Sequence, residues 1–259
     1  GNICDEALML DALKDIHYVS HQAALGSVPR SLKTPIATNE ANVTGFLTVL
    51  DAARRNGIKR LVYASSSSVY GDHPKLPKEE HLIGNPLSPY AVSKRVDELY
   101  ADVFHRSYNM HVTGLRYFNI FGPRQKPDGP YAAVIPLFMQ AIMDGTPAYL
   151  NGDGGQTRDF TFVENAVQAN IRALFCPNED AAGQVFNVAV GERLSVLEMY
   201  NVLREFAGKG LDPVHREARE GDIRDSLADI SKGNTYLGYN PRVRMKEGLR
   251  ITLDWFTNK

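Results

Sequence analysis

Short apolar runs and longer amphipathic stretches alternate along the first half of the chain. The runs predict buried strands over residues 16–24, 60–65 and 110–118, and the stretches predict helices over residues 36–55 and 89–108. Strands that alternate with helices usually pair in parallel, because each helix carries the chain back across one face of the sheet. The pattern therefore predicts an α/β fold with a doubly wound parallel sheet, in which functional side chains gather at the carboxyl ends of the strands.

The pattern changes after Gly122. A loop rich in proline and glycine is predicted over residues 123–130, followed by a helix over residues 133–144 and a short hairpin over residues 149–155. Three more helices are predicted over residues 195–206, 230–237 and 246–256. These segments indicate a second, smaller lobe.

The composition is that of an ordinary globular protein. Of the 259 residues, 43% are apolar, which is enough for one sizeable core or for a domain with a smaller lobe. A formal charge of -1, without a run of lysines and arginines, argues against a nucleic-acid partner, and no apolar stretch approaches the roughly 18 residues of a membrane span. Cys4 and Cys176 stand far apart, without companions that would complete a metal site. We therefore expect a cytoplasmic protein with reduced thiols, no signal peptide and no bound metal.

A tyrosine and a lysine four residues apart, Tyr90 and Lys94, lie near the start of the helix predicted over residues 89–108. Side chains at this spacing share one helix face, so the ammonium group can favour the ionised form of the phenol. Free tyrosine has a pKa of about 10, and a tyrosine that serves as a base at neutral pH needs such a cation. The pair alone is weak evidence, because the same spacing is typical of a half-buried ring beside a solvated charge.

Two further motifs flank this helix. Residues 64–71 (ASSSSVYG) form the serine-rich end of the preceding strand, and residues 115–124 (LRYFNIFGPR) follow the helix. With these motifs and residues 21–31 (HQAALGSVPRS), 70–74 (YGDHP) and 219–222 (REGD), the chain resembles the extended short-chain dehydrogenase/reductases, and among them the sugar-nucleotide 4-epimerases. The resemblance runs almost end to end and is strongest to the bacterial UDP-N-acetylglucosamine 4-epimerases.

The resemblance implies a Rossmann-like NAD-binding domain over residues 1–120 and roughly 160–190. The helix predicted over residues 163–175 and the strand predicted over residues 185–189 would return to its sheet. A smaller α+β lobe, formed by residues 121–159 and 191–259, would bind a UDP-sugar.

The start of the chain resembles the end of the third strand of these enzymes. Relatives open with a strand, a glycine-rich turn and a helix whose N-terminus binds the cofactor pyrophosphate. Gly1-Asn2-Ile3 resembles a later Gly-Asp-Ile segment, so about 75 to 85 residues would precede it, on the usual size of two βα units and a strand. An N-terminally truncated Rossmann sheet is therefore expected. A catalytically impaired fragment and a sugar-nucleotide-binding subunit are the alternatives to an active enzyme.

The resemblance also assigns the site. Epimerases of this family oxidise C4 of the sugar with NAD to a 4-keto intermediate and return the hydride to the opposite face. By resemblance, Tyr90 takes the proton of the 4-hydroxyl group, Lys94 favours its phenolate and holds the nicotinamide ribose, and Ser66 hydrogen-bonds the reacting oxygen. The residues expected at NAD are Asn2, Ile3, Gln22, Ala23, Ala24, Asn42, Tyr90, Lys94 and Phe118. The residues expected at the UDP-sugar are Ser27, Ser66, Ser67, Ser68, Tyr90, Asn119, Arg158, Arg219, Asp222 and Ser226.

Ser226 bears on the choice of sugar. Glucose-specific relatives place a tyrosine there, which would crowd a C2 substituent, whereas serine leaves room for an acetamido group. The expected reaction interconverts UDP-GlcNAc and UDP-GalNAc, with UDP-glucose or UDP-uronate epimerisation as the alternative, because an enlarged pocket excludes a smaller ligand by only ~1–3 kcal/mol. Ser67-Ser68 stand where 4,6-dehydratases usually carry Asp-Glu, which disfavours dehydration. By analogy with the family, a homodimer through the helices at residues 36–55 and 89–108 is expected.

Overall fold

The computed structural model describes residues 1–127, 133–217 and 224–258. Its helices are α1 (Glu6–Ala12), α2 (Val28–Lys33), α3 (Pro35–Asn39), α4 (Gly45–Arg55), α5 (Pro89–Tyr108), α6 (Val134–Asp144), α7 (Val163–Leu174), α8 (Val196–Ala207), α9 (Ser231–Leu237) and α10 (Met245–Thr257). Its strands are β1 (Tyr18–His21), β2 (Arg60–Ser66), β3 (Val112–Tyr117), β4 (Ile120–Phe121), β5 (Tyr149–Asn151), β6 (Thr157–Arg158), β7 (Thr161–Phe162), β8 (Val185–Val188), β9 (Leu194–Ser195) and β10 (Val214–Arg216). No helix within these ranges is both long enough and apolar enough to cross a lipid bilayer.

The main sheet is parallel, with the strand order β1-β2-β3-β8. Alternate residues of β2 point to opposite faces of the sheet. Leu61 and Tyr63 belong to a buried core with α4 and α5, which includes Leu50. Val62, between them, belongs to a core with α7 and α9, which includes Phe186. Helices therefore cover both faces, and the predicted α/β fold with a parallel sheet is confirmed.

Two elements differ from the prediction near the start of the chain. β1 ends at His21, and the backbone of the following loop is hydrogen-bonded at Leu25 by the side chain of Asn42. The helix predicted over residues 36–55 is not continuous, because a π-helical stretch, Glu40–Thr44, separates α3 from α4. π-Helical stretches are frequent at functional sites. This one contains Asn42, whose side chain is buried.

A third apolar core lies beyond β4, away from the two that flank the main sheet. Helices α6, α8 and α10 form it around Phe138, Tyr200 and Leu249. α9 packs elsewhere, against β8 and α7, with Leu237 in the core of the main sheet. A separate core is what the predicted smaller lobe requires, and the boundaries of the two lobes stay a prediction.

The hairpin predicted over residues 149–155 is wrong. β5 pairs in parallel with β10, with Tyr149 opposite Val214, and β6 pairs antiparallel with β9. Gly152 has the positive φ of a turn residue, 67°, but its N–H group donates to the carbonyl oxygen of Arg216. The turn chemistry was recognised correctly, and the strand partner comes from a segment more than sixty positions away, as the pairing of Tyr149 with Val214 shows.

A buried ion pair ties α5 to the sheet. Arg116 of β3 donates from Nε and Nη2 to the two carboxylate oxygens of Glu98 at 2.7 and 2.9 Å, and both side chains are almost fully buried. Ser65 of β2 donates its hydroxyl group to the same carboxylate at 2.7 Å. Burial raises the pKa of Glu98, but hydrogen bonds from Arg116, Ser65 and Arg95 outweigh this effect and hold the pKa below its usual value. α5, β2 and β3 therefore share one ionised centre.

Arg116→Met is expected to lower the free energy of unfolding by about 3–5 kcal/mol, because it leaves the Glu98 carboxylate buried without its main partner. Urea denaturation measures this loss. The matched control is Arg106→Met, which removes an exposed ion pair with Asp102 on α5, the helix that carries Glu98. This change is expected to lower the free energy of unfolding by less than about 1 kcal/mol. A loss for Arg116→Met no larger than that of the control would contradict the role given to the buried pair.

Candidate active site

The serine-rich segment lies where β2 and β3 end side by side, with Ser66 opposite Tyr117. Ser66 accepts a hydrogen bond from the N–H group of Ser68 at 3.1 Å and begins a short 3-10 helix, Ser67–Tyr70. The hydroxyl oxygen of Ser68 is buried and has no hydrogen-bond partner among the described residues. Ser66, Ser67 and Ser68, all predicted at the sugar, therefore lie at one strand end. Ser65 instead donates its hydroxyl group to Glu98 of the buried ion pair.

Lys94 is anchored next to these serines. α5 begins after Ser88, whose hydroxyl group caps the first turn, and it places Tyr90 and Lys94 one turn apart on one face. The buried Lys94 ammonium donates to the carbonyl oxygen of Ala64 at 2.9 Å. Ala64 lies two residues before Ser66 in β2. This contact fixes the helix that carries Tyr90 against the strand that carries the serines.

Asn42 joins the loop after β1 to the start of α5. Its Oδ1 atom accepts a hydrogen bond from the N–H group of Leu25 at 2.7 Å, and its Nδ2 atom donates to Ser93 Oγ at 3.0 Å. Ser93 in turn donates to the carbonyl oxygen of Tyr90 at 2.8 Å. The sequence predicts Asn42 as a contact to NAD. Its buried amide also sets the position of the loop that carries Ala24 relative to Tyr90.

The loop after β1 offers an open surface for NAD. Ala23 and Ala24 are exposed at the end of β1, and Phe118 is buried directly after β3. Gln22 donates through its amide to Ser20 and Asn170 at 3.1 and 3.0 Å, so its side chain is held by the protein. Small side chains over the carboxyl ends of parallel strands leave backbone groups accessible to a dinucleotide. The residues present here therefore fit the cofactor that the sequence predicts.

The two residues predicted at the adenine precede α1. The Oδ1 atom of Asn2 accepts a hydrogen bond from the N–H group of Cys4 at 3.0 Å. Ile3 packs against α4 close to Gly45, where an added Cβ atom would lie 2.6 Å from the isoleucine side chain. The structure thus explains these residues by local packing, and their contact with adenine stays a prediction.

A cavity of about 340 Å³ opens beyond the end of β3. Asn119 and Arg158, both predicted at the UDP-sugar, line it together with Gln125 and Tyr149. The guanidinium group of Arg158 donates to two backbone carbonyl oxygens at 2.9 and 3.1 Å. The amide oxygen of Gln125 is buried without a hydrogen-bond partner among the described residues. Gln125 is not among the predicted site residues, although it directly follows the FGPR segment, residues 121–124, of a motif that carries the family resemblance.

Asp159, which is not among the predicted site residues, follows the cavity residue Arg158 and holds three segments together. Its buried carboxylate accepts hydrogen bonds from the N–H groups of Val190, Gly191 and Ala228 at 3.0, 3.1 and 3.3 Å. Burial raises the pKa of Asp159 to about 7, against the opposing effect of these three bonds. Ser226 lies two residues before Ala228 and donates its N–H group to β6 at 3.1 Å. Asp159 therefore helps to position the segment that carries Ser226.

Three predicted substrate residues remain. Arg219 and Asp222 lie outside the described residues. Ser27 caps α2, where its Oγ atom accepts a hydrogen bond from the N–H group of Arg30 at 3.2 Å, and its φ angle is 128°. Strained backbone of this kind is often retained at binding sites. Within the ranges that the structure covers, no group of three or more histidine, cysteine or acidic side chains is arranged to hold a metal ion.

Known proteins similar to this chain cover most of its length. Residues 1–189 match the model of the NAD dependent epimerase/dehydratase family. A relative from Methanocaldococcus jannaschii, named a putative UDP-glucose 4-epimerase, is 35% identical over 246 residues, which cover 95% of this chain and 78% of the relative.

Solved structures share the whole described fold. The UDP-N-acetylglucosamine 4-epimerase from Methanobrevibacter ruminantium M1, in complex with UDP-N-acetylmuramic acid, has a TM-score of 0.94 and 39% sequence identity, with 100% of this chain and 82% of that chain covered. The UDP-glucuronic acid 4-epimerase from Bacillus cereus, in complex with UDP-glucuronic acid and NAD, has a TM-score of 0.92 and 30% identity, with 100% and 80% covered. Identities of this size over the full chain indicate common ancestry as well as a common fold.

Proposed function

Because the chain belongs to the NAD dependent epimerase/dehydratase family, we propose that it catalyses the NAD-dependent 4-epimerisation of a UDP-sugar. One observation carries the proposal. The buried Lys94 ammonium bonds the Ala64 carbonyl group, so the helix of Tyr90 and the serine-rich strand end meet at one end of the sheet. The cavity lined by Asn119 and Arg158 begins directly after the neighbouring strand β3.

The reaction needs a group that takes one proton from the 4-hydroxyl oxygen and later gives it back. We assign this role to Tyr90, whose phenolate accepts the proton as the C4–O bond becomes a carbonyl bond. The positive charge of Lys94 favours the phenolate, and the hydroxyl group of Ser66 donates a hydrogen bond to the sugar oxygen. When bound, NAD supplies the acceptor and donor for the C4 hydride. Tyr90 returns its proton when the 4-keto sugar is reduced on its opposite face.

Five residues of this chain would hold or position the cofactor. Ala23 and Ala24 are exposed at the end of β1 and would offer their backbone groups. Lys94 would offer its ammonium group to the nicotinamide ribose, and the backbone of Phe118 would border the cofactor after β3. Asn42 keeps the loop of Ala24 in place through its bond to the Leu25 N–H group.

The cavity supports a nucleoside diphosphate as the rest of the substrate. Arg158 brings a guanidinium group and Asn119 an amide group to its wall, and both are suited to diphosphate oxygens. Arg219 and Asp222 stay predictions from the sequence for the diphosphate and the uridine ribose. Gln125 adds an amide to the same wall.

We further propose UDP-GlcNAc and UDP-GalNAc as the substrate pair. The relatives are named for glucose, N-acetylglucosamine and glucuronic acid, so their names leave the sugar open. Ser226 is small and half-buried beside β6, which leaves space for an acetamido group at C2. Ser27 and the hydroxyl groups of Ser67 and Ser68 are the proposed polar contacts to the sugar.

We also propose that the chain forms a homodimer through α3, α4 and α5. Ile36, Val92, Leu99 and Val103 are 83%, 48%, 49% and 43% exposed. The three residues of α5 follow one another at intervals of seven and four, which places them in one stripe. An exposed apolar stripe of this kind marks an association surface, and a second copy can cover it around a two-fold axis.

Tyr90→Phe is expected to lower turnover by at least about 100-fold, because it removes the proton acceptor and keeps the ring. NMR of the anomeric signals follows conversion of UDP-GlcNAc to the galacto isomer with added NAD+. Tyr108→Phe, which changes an exposed tyrosine at the other end of α5, is the control and should keep the wild-type rate. Equal rates for Tyr90→Phe and the wild type would reject this base. A wild type that converts none of UDP-GlcNAc, UDP-glucose and UDP-glucuronic acid would reject the proposed function.

Ser226→Tyr is expected to lower kcat/KM for UDP-GlcNAc relative to UDP-glucose by about 10-fold or more, because the ring occupies the space for the C2 substituent. Competition between the two substrates, followed by NMR, gives the ratio. Ser231→Tyr, at an exposed position on α9, is the control. A ratio that stays at the wild-type value in Ser226→Tyr would show that another residue selects the sugar.

Leu99→Glu is expected to convert the dimer to a monomer, because it places a charge in the middle of the apolar stripe. Sedimentation equilibrium measures the mass. Leu137→Glu, at an exposed apolar position of α6, should leave the mass unchanged. A monomeric wild type would contradict the proposed interface.

A further inference from the structure

A buried acidic residue lies on the far side of Lys94 from Tyr90. Asp97 follows Lys94 by three residues on α5 and Tyr90 precedes it by four, so the three side chains share one helix face. The Oδ2 atom of Asp97 lies 3.2 Å from Nζ of Lys94. The two side chains are only 1% and 4% exposed, so solvent and salt screen their interaction little.

The carboxylate of Asp97 is poorly compensated. Its Oδ1 atom is buried and accepts no hydrogen bond from any described residue. Burial raises the pKa of Asp97 to about 7, the charge of Lys94 opposes this effect, and the charge of Glu98 adds to it. The charge of Asp97 therefore changes close to neutral pH.

Other charged and titratable groups face this pair from the surrounding elements. They are Glu98 and Arg95 of α5, Arg116 of β3, Tyr63 of β2 and His21 of β1. The two arginines are bonded to the Glu98 carboxylate. Burial raises the pKa of Tyr63 well above its usual value, and burial together with the charge of Lys94 lowers the pKa of His21 to about 4. Both are neutral at pH 7, so Asp97 is the member of this set that changes charge there.

We propose that Asp97 is a positioning residue that sets how strongly Lys94 acts on Tyr90, an inference that rests on the proposed function. The ionised carboxylate holds the ammonium group beside the Ala64 carbonyl oxygen and offsets part of its charge. A neutral side chain at this position leaves the charge of Lys94 uncompensated. The phenolate of Tyr90 is then favoured more strongly, because the positive charge near it is no longer offset.

The consequence is that the charge of Asp97 affects the acid side of the pH profile of kcat, together with the proton that Tyr90 exchanges with the sugar. As the pH falls, the Asp97 carboxylate takes up a proton and no longer offsets the charge of Lys94. The uncompensated charge then favours the Tyr90 phenolate, which opposes its protonation by acid. The acid side of the wild-type profile is therefore broader than the titration of one group.

Profiles of kcat against pH for UDP-GlcNAc with NAD+ test the proposal in the wild type, Asp97→Asn and Asp97→Glu. Asp97→Asn is expected to narrow the acid side of the kcat profile and to move its midpoint by about one pH unit to lower pH. A shift of this size is the effect expected from the loss of one nearby buried charge. Asp97→Glu keeps the charge and should stay near the wild type. Asp102→Asn, which changes an exposed carboxylate of the same helix, is the control. A purely structural role would lower kcat equally at every pH, and an unmoved midpoint in Asp97→Asn would overturn the proposal.

A second titration needs no turnover and separates this inference from the proposed function. Carbon NMR of labelled aspartate carboxyl groups follows Asp97, whose signal is identified by its loss in Asp97→Asn. Lys94→Met is expected to move the Asp97 midpoint to higher pH, because the ammonium group favours the carboxylate. An unmoved midpoint overturns the pairing, whatever the enzyme does. A wild type without turnover overturns the proposed function and the effect of Asp97 on catalysis. It does so even if the NMR titration shows that Lys94 changes the midpoint of Asp97.

Discussion

The ion pair between Glu98 and Arg116 holds the parts of the candidate active site in one frame. It joins α5, which carries Tyr90 and Lys94, to β3, and through Ser65 it joins both to β2. The Arg116 guanidinium group also lies 4.9 Å from the ring centre of Tyr70, the last residue of the short helix Ser67–Tyr70. Because charged hydrogen bonds are directional and water does not reach them, they fix the relative position of these elements more narrowly than apolar packing does.

Asp159 does the same for the cavity, with different partners. It follows Arg158 in the sequence and accepts hydrogen bonds from three backbone N–H groups. Two of these belong to the loop after β8, and the third belongs to Ala228, two residues after Ser226. Both centres use a buried carboxylate that accepts several hydrogen bonds, which outweigh the effect of burial on the pKa of Glu98 but offset only part of it at Asp159. The first aligns the groups proposed for proton transfer, and the second aligns those proposed to bind the nucleotide and the sugar. The residues proposed for proton transfer and those proposed for substrate choice are therefore positioned by separate polar centres.

Much of the fold could be predicted because its signals are local. The predicted bounds of α5 agree with the structure, and α6, α7, α8, α9 and α10 begin and end within one or two residues of their predictions. Family membership was also recognised correctly, from motifs that are short and contiguous. The short helices α1 and α2 and the π-helical stretch at Asn42 were not predicted, because segments of five to seven residues carry little periodicity. The prediction of a hairpin over residues 149–155 was wrong because β5 pairs with β10, a strand that is distant in the sequence.

Local sequence patterns were enough to predict the alternation of the main strands and helices and the family, and helical spacing alone places Tyr90, Lys94 and Asp97 on one face of a helix. Helical spacing is a property of neighbouring residues, so it can be read without knowledge of the fold. The folded structure is needed to show that Lys94 reaches the carbonyl oxygen of Ala64, that Asp97 is buried, and that Asn42 hydrogen-bonds the loop of Ala24. Burial and hydrogen-bond partners depend on segments that meet only after the sheet has formed, and these contacts decide which ionisable groups can act together.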